Sequence, residues 1–494
     1  MESDPRQAAA VYRQAQGWKI LAEFADLLRL PNVTRQTDDL EVNAAELVRR
    51  FEDRGASMEI ARLDGAAPVV IGELRTEAPT AVVGVYVHYD GQPVDPDEWT
   101  FPPFSATLTT SAGQPVPYPG AGDPIDPEWR IHARGASDDK TPFAALTSAL
   151  DALAEAGIAR TVDLVFLFEG EEESGSPSLD RYLTELAPRL RADVWLLCDG
   201  PVHQSRAPQV AFGVRGYCGF DLTFYGPEHE VHSGHYGNWV PNPAFELAVF
   251  LAGCKDESGR VTIEGFYDDT APITDEDRRA IEALPDVEAS LMEEIGFAGP
   301  EVEGAGYAEL LMIPSFNVRG LRAAGVGVEA RNVVPSHATT SVDIRLAAGD
   351  DPEAMLSRVR AHIEKQGYHL VDDDPGPVDR RTHRRLARLV PTAGYRAARI
   401  PMDSPLARVL LDVCSRASHG DVVALPTFGG SIPLYLFEDI LGAPVAILPI
   451  ANHDNNQHAA DENIRIANLW YGVDLWSVLL TTDFSSVRDD PVSG

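Results

Sequence analysis

Residues 162–173 read VDLVFLFEGEEE: the largely apolar run Val162–Phe168 passes without a turn signal into Glu169-Gly170-Glu171-Glu172-Glu173. A continuous Val, Leu and Phe run fits a strand buried on both faces, as in a parallel sheet. Three other stretches repeat the arrangement. Val82–Val87 (VVGVYV) leads into His88-Tyr89-Asp90, and Val194–Cys198 (VWLLC) stops at Asp199. Ala443–Ile450 (APVAILPI) precedes an Asn/His/Asp-rich loop holding His453 and His458. Ligands of open parallel sheets bind outside the carboxyl ends of the strands. Acidic and imidazole side chains at four such ends are therefore expected to converge in one crevice.

The rest of the chain extends this frame. A length of 494 residues with 44% hydrophobic content predicts two or more domains with a large core. A net charge of −35 argues against nucleic acid or an anionic membrane as partner, since both need positive patches. No apolar run approaches the roughly 20 residues needed to cross a bilayer. The N-terminal residues show no basic region followed by an apolar stretch. Cys198, Cys218, Cys254 and Cys414 are far apart and form no CxxC spacing, which suits a reducing compartment. The expectation is a soluble cytoplasmic protein.

Helices are predicted over 5–29 and 43–53. Another begins at Thr141-Pro142, carries Phe143, Leu146, Leu150 and Leu153 on one stripe, and stops at Gly157, with Thr141 read as its N-cap. A Pro- and Gly-rich loop, 91–130, precedes it; loops this long are usually functional. From about residue 211 the pattern changes. Gly219–Tyr225 and Thr339–Leu346 alternate, while 241–253, 276–296 and 352–367 look helical, which suggests an antiparallel sheet with one helical face. The arginine-rich stretch Arg380–Arg399 reads as a solvated helix pairing with the acidic surface. Helix 404–417 and strand 443–450 resume the α/β rhythm. The fold class is therefore α/β: a catalytic domain (1–210 and 398–494) with a mainly parallel sheet, interrupted by an inserted α/β two-layer domain (211–397).

The strand ends carry the chemistry. Period-two alternation places His88 and Asp90 on one side, a ligand imidazole with a carboxylate to orient it; taken alone, the same pattern is commonly structural. Asp138-Asp139, in RGASDDK (134–140), offers adjacent carboxylates at the start of a helix, or a capped turn. Glu171-Glu172-Glu173 crowds three like charges at a sheet mouth, which a cation would relieve. Oxygen and imidazole donors together suit Zn²⁺ or Mn²⁺. A carboxylate pair also divides the labour of metal-assisted hydrolysis, one binding metal and its neighbour taking a proton from water.

In this order, HYD at 88–90, RGASDDK at 134–140, EGEEESGS at 169–176, CDG at 198–200, HSG at 232–234, NVVP at 332–335, GGSIP at 429–433 and His458 resemble the di-zinc metallopeptidase family of carnosinases, cytosolic dipeptidases, aminoacylase-1 and glutamate carboxypeptidase. EGEEESGS, PSFNVRG (314–320) and GGSIP are closest to its carnosinase-like dipeptidase branch. The resemblance implies two divalent metals per chain, Zn²⁺ first with Mn²⁺ or Co²⁺ as alternatives. His88 and Asp199 would hold one, Glu173 and His458 the other, and Asp138 would bridge them. It makes Glu172 the general base, sets Asp90 behind His88, and makes the Asp138-Asp139 bond a cis peptide. It also makes the inserted domain a lid that carries a homodimer contact. His232 would reach from that lid into the partner's site to stabilise an oxyanion. Asn332 would hold the substrate backbone, while Arg345, Gly430 and Ser431 would grip its free carboxylate. His453 competes with His458, but the acidic pair Asp461-Glu462 following His458 fits the family pattern.

These residues imply hydrolysis of an amide bond next to a free C-terminal carboxylate, in a dipeptide or related small peptide. The alternative is an N-acyl-amino-acid amidohydrolase of the same mechanism, which Arg345 cannot separate from it. A non-catalytic scaffold would be expected to have lost Glu172 or a ligand, and all are present. No GxSxG elbow stands at a strand end.

Overall fold

A computed structural model describes residues 4–418, 420–430 and 434–489. Its largest sheet has eight strands, in the order Ser57–Ala61, Val69–Leu74, Val162–Glu169, Ala81–His88, Val194–Leu197, Val445–Ile447, Gln209–Ala211, Val423–Leu425. The four strands from Val162–Glu169 to Val445–Ile447 run parallel, and the Ser57–Ala61 flank is antiparallel. The sheet is thus mixed, with a parallel centre.

Alternation along the central strands explains their unbroken apolar runs. Val83, Val85, Val87, Leu164, Phe166 and Phe168 enter one core with helices Pro5–Leu28, Thr141–Ala156, Pro405–Ser418 and Ile466–Leu479. Tyr86, Val165, Leu167, Trp195 and Leu197 enter the core on the other face, with Leu179–Leu186. Each such buried side chain stabilises the fold by roughly 1.5–3 kcal/mol. Gly84 lets two strands approach closely, because a Cβ there would lie 2.3 Å from the Trp195 ring.

A separate core is built wholly from residues between Cys218 and Leu389. Its five-stranded sheet has the order Ser315–Arg322, His337–Leu346, Gly216–Tyr225, Leu386–Tyr395, His369–Leu370, antiparallel except for the last pair. Helices Pro243–Ala252 and Pro352–Lys365 supply Leu247, Phe250, Met355, Val359 and Ile363 to that core, so one face is helical.

Four local expectations are corrected. Of the arginine-rich stretch only residues 380–382, the end of helix Pro377–Thr382, are helical. Leu386–Tyr395 is a strand, because Leu386, Ala387 and Leu389 are buried while Arg388 turns out toward Asp374. The helix expected over 276–296 is two, Asp275–Glu282 and Glu288–Ile295; Pro285 between them lacks the N–H and disfavours helical backbone before it. Lys140, not Thr141, is the N-cap, and the Thr141 hydroxyl donates to the Ala136 carbonyl at 2.5 Å. The 91–130 loop is partly ordered as a sheet, Thr107–Thr109 against Arg130–His132 against Asn463–Arg465. The four cysteines are buried thiols, and among the described residues no helix is long and apolar enough to cross a membrane.

Candidate metal centre

Parallel pairing sets His88 opposite Glu169, the last residues of adjacent strands. Glu169 turns inward to the Tyr86 hydroxyl, and burial pushes its pKa up to about 7. Gly170 then lets the chain reverse: a Cβ there would lie 2.6 Å from the Tyr89 hydroxyl. The 3₁₀ turn Glu172–Ser174 follows. Glu171 departs from the expected triple charge. Its carboxylate accepts the backbone N–H groups of Ala67 at 3.1 Å and Ser178 at 2.8 Å, so it ties loops together away from the cluster.

The other sequence candidates do meet. His88 Nε2 lies 2.9 Å from Asp138 Oδ1 and 4.0 Å from Asp199 Oδ2. His458 Nε2 lies 3.0 Å from Asp138 Oδ2 and 3.2 Å from Glu173 Oε2. Asp138 therefore stands between the two imidazoles, one oxygen to each. His453 is instead 4.0 Å from Asp454 and lines a neighbouring cavity. The Asp138-Asp139 peptide is cis. Asp90 is fully buried and does more than sit behind His88, whose Nδ1 is 3.4 Å from Asp90 Oδ1. Its two oxygens accept the backbone N–H groups of Glu172 at 3.1 Å and Glu173 at 3.2 Å, fixing the turn that presents both.

The electrostatics are those of a cation site. Asp90, Asp138, Asp139, Glu172, Glu173 and Asp199 gather about His88 and His458. Burial pushes Glu172 up to about 8 and Asp199 up to about 6, with neighbouring carboxylates adding to both. Hydrogen bonds to Asp138 and Glu173 push His458 up to about 10. Burial raises Asp138, yet His458 and His88 hold it well below the usual carboxylate range. Asp139 Oδ2 is buried without a hydrogen-bond partner. Two trios, His88–Asp139–Asp199 and Asp138–Glu173–His458, each bring their ligand atoms within 4.8 Å of one another. Oxygen and imidazole donors in two adjoining groups fit a pair of divalent cations.

Sequence reasoning missed three neighbours. Asp139 joins the first trio, where the sequence marks it only as half of an acidic pair. Gln92 Nε2 donates to Glu173 Oε2 at 2.7 Å, and Gln457 Nε2 to Asp138 Oδ2 at 3.0 Å. Gln457 lies inside the quoted His453–His458 loop; nothing in the sequence marks Gln92.

The expected substrate residues lie outside the cluster. His232 is exposed on a two-stranded ribbon, paired with Val333, and its Nδ1 accepts the Gly234 N–H at 3.0 Å. Asn332 stands beside the other strand of that ribbon, its backbone carbonyl accepting the Ser233 N–H at 2.9 Å. Among the described residues, no hydrogen bond or ion pair joins His232 or Asn332 to the metal candidates. Arg345 lies 3.3 Å from Asp343 with its guanidinium 5.5 Å from the Tyr217 ring centre. The Gly430 carbonyl accepts the Arg215 N–H at 3.3 Å. Ser431 falls outside the described residues. A cavity of about 1030 Å³ lies beside Pro201 and Gly430, lined by Leu284, Leu311, Phe428 and His453 among others.

Carboxylates and histidines arranged as two adjoining candidate cation sites, with a further buried carboxylate of raised pKa, are the equipment of a metal-dependent hydrolase. The chain belongs to Peptidase family M20/M25/M40, which matches residues 84–482. It is a metal-dependent peptidase. It is 25% identical to the Cys-Gly metallodipeptidase dug1 of Schizosaccharomyces pombe over 489 residues, covering 96% of this chain and 95% of that one. It is 25% identical to the human Beta-Ala-His dipeptidase, covering 88% and 82%. A solved M20 family metallo-carboxypeptidase from Sulfolobus solfataricus superposes with a TM-score of 0.74 at 26% identity, covering 94% and 98%.

Proposed function

We propose that the protein is a di-zinc dipeptidase, cleaving the amide bond of a small peptide next to its free C-terminal carboxylate. The observation that supports this most is Asp138 standing between His88 and His458 with Glu172 beside it. In this reading His88 and Asp199 hold one metal, with Asp139 within reach, Glu173 and His458 hold the other, and Asp138 is shared. Bound cations supply Lewis-acid polarisation of the scissile carbonyl and acidify a water.

The chain supplies the remaining roles. Glu172, buried beside the cluster and ionised once cations are bound, takes a proton from the attacking water and returns it to the leaving amine. Asp90 holds that carboxylate in place through the backbone N–H of Glu172. His232, from the lid of a partner subunit, donates to the developing oxyanion. Asn332 aligns the substrate backbone, and Arg345 with Gly430 and Ser431 binds the terminal carboxylate, a task suited to a guanidinium. The cavity beside Gly430 has room for substrate side chains.

A dimer through the inserted domain fits its surface. Strand Ser315–Arg322 is a sheet edge, and Trp239, Phe245, Val249, Leu321, Val326 and Val328 are exposed apolar side chains of that domain.

The test is hydrolysis by the purified protein of dipeptides, their C-terminally amidated forms and the matching N-acetyl amino acids, with metal measured on the same sample. Cleavage of free dipeptides alone, with two zinc ions per chain, is expected. Cleavage of the N-acetyl amino acids alone would replace this reading with an aminoacylase.

A further inference from the structure

The acidic pair after His458 has no part in the chemistry above, yet Glu462 is the best-satisfied carboxylate near the site. Its side chain is fully buried. Oε1 accepts the Ser137 N–H at 2.8 Å, the Ser137 hydroxyl at 2.9 Å and the Asp138 N–H at 2.9 Å. Oε2 accepts from Arg134 Nη1 at 2.6 Å and from the Gly135 N–H at 3.0 Å. A structural ion pair with Arg134 would account for one of these bonds. The other four come from the loop that ends in Asp138, three of them from its backbone.

Glu462 also closes the His458 loop. That loop turns through left-handed backbone at Asn456, His458 and Asp461, with φ of 57°, 63° and 58°, conformations that non-glycine residues hold only under restraint from their surroundings. Several contacts supply restraint. Arg134 Nη2 donates to the Ala459 carbonyl at 3.4 Å, the Asp461 carboxylate accepts the Thr100 N–H at 2.9 Å, and the Glu462 carbonyl accepts the Ala133 N–H at 3.1 Å. Strand Asn463–Arg465 then pairs with Arg130–His132. Gln457 and His458 also reach across, but to the Asp138 carboxylate itself; Glu462 instead grips the backbone of the segment carrying Asp138 while belonging to the segment carrying His458.

We infer that Glu462 is a positioning residue: its buried carboxylate sets the spacing of Asp138 and His458, so that the Asp138–Glu173–His458 cation site is formed before metal arrives. This rests on the two-metal reading of the cluster. Groups that orient ligands from behind typically change metal affinity 10–100-fold when replaced.

The experiment uses the full-length protein stripped with chelator and reloaded with Co²⁺. Glu462→Gln keeps the side chain's shape but sets an NH₂ group against N–H donors. The variant is expected to bind one of two Co²⁺ ions about 10–100-fold more weakly by chelator competition. Its visible Co²⁺ absorption at full occupancy should also differ from the wild type, a readout that a general loss of stability does not move. Wild-type affinity and spectrum in Glu462→Gln would overturn the inference, whatever its melting temperature. Should that variant not fold, Ser137→Ala removes one of the five bonds and should change the Co²⁺ spectrum from that of the wild type; an unchanged spectrum would again overturn it. His458→Ala separates the two claims. Loss of one Co²⁺ upholds the two-metal reading, and retention of both at full affinity would overturn that reading rather than the role of Glu462 alone.

Discussion

Loading the chelator-stripped protein with Zn²⁺ is expected to expel protons, and the named groups fix how many. Hydrogen bonds to Asp138 and Glu173 push His458 up to about 10. Burial lowers His88, but its bonds to Asp138 and Asp90 outweigh that and raise it well above its ordinary value. At pH 7 each imidazole therefore carries about one proton. Glu172, pushed up to about 8 by burial, carries roughly 0.9 of a proton at pH 7, and Asp199, pushed up to about 6, roughly 0.1. A ligand imidazole must be neutral and a ligand carboxylate ionised, so about two protons leave from His88 and His458. Glu172 adds up to about one more as the cations offset the burial, and the neighbouring carboxylates, that raise it. The total is about two to three per chain at pH 7. Zn²⁺ titration calorimetry in buffers of different ionisation enthalpy measures this number directly. By pH 9 the Glu172 share should vanish while His458 still contributes most of its proton, so the total falls toward two. The sign is fixed by linkage: affinity rises with pH, and the two-metal constant weakens by about 10²–10³ from pH 8 to pH 7. Release of fewer than one proton at pH 7 would refute the placement of these groups around a shared cation site.

Asp90→Asn replaces an acceptor of the Glu172 and Glu173 N–H groups by an amide that satisfies only one of them, and kcat is expected to fall about 10–100-fold with the fold intact; steady-state kinetics beside circular dichroism would show it, and unchanged kcat would sink the role. If His232 acts across a dimer, mixing His232→Ala with Glu172→Gln should restore about a quarter of wild-type activity, since half the dimers are hybrids with one complete site. No recovery after verified subunit exchange would place His232 within its own chain's site. Lys140 is fully buried, its ammonium donating to the Leu27 and Leu30 carbonyls at 3.1 and 2.9 Å, and burial pushes its pKa down to about 7. Between pH 7 and about 10.5 the unfolded chain binds a proton there that the folded one does not, so stability rises with pH in that window. Denaturant unfolding of wild type and Lys140→Met at pH 7 and pH 9 should show the wild type gaining about 2 kcal/mol more than the variant; parallel behaviour would contradict it.

What the sequence made legible follows from which contacts are local. Strands buried on both faces announce themselves as unbroken apolar runs, and the side chains just past their ends share one side of a sheet. His88, Asp199 and Glu173 could be placed together on that ground alone. The acidic run was harder. Nothing local says that Glu171 turns away to bond Ala67 and Ser178 while Glu172 and Glu173 face the cluster, because Ala67 lies 104 residues away. The arginine-rich stretch misled for a different reason: its charge masks the alternation of the core residues Ala387 and Leu389 with Arg388 and Val390 that makes it a strand.

Asp138 and His458 belong to a third kind. Neither sits at a strand end; the residues alone leave His458 beside His453 and Asp138 beside Asp139, and only the resemblance to a known family chooses between them. Sheet pairing registers His88 against Glu169, but it joins their two loops only at the outer ends, where Arg130–His132 pairs with Asn463–Arg465. Loops without sheet register need another restraint if their ligands are to meet at 3.0 Å. A carboxylate that gathers five donors across 324–328 residues of chain is such a restraint. The acidic pair after His458 is thus the trace left in the sequence by the part of the site that strand patterning cannot encode.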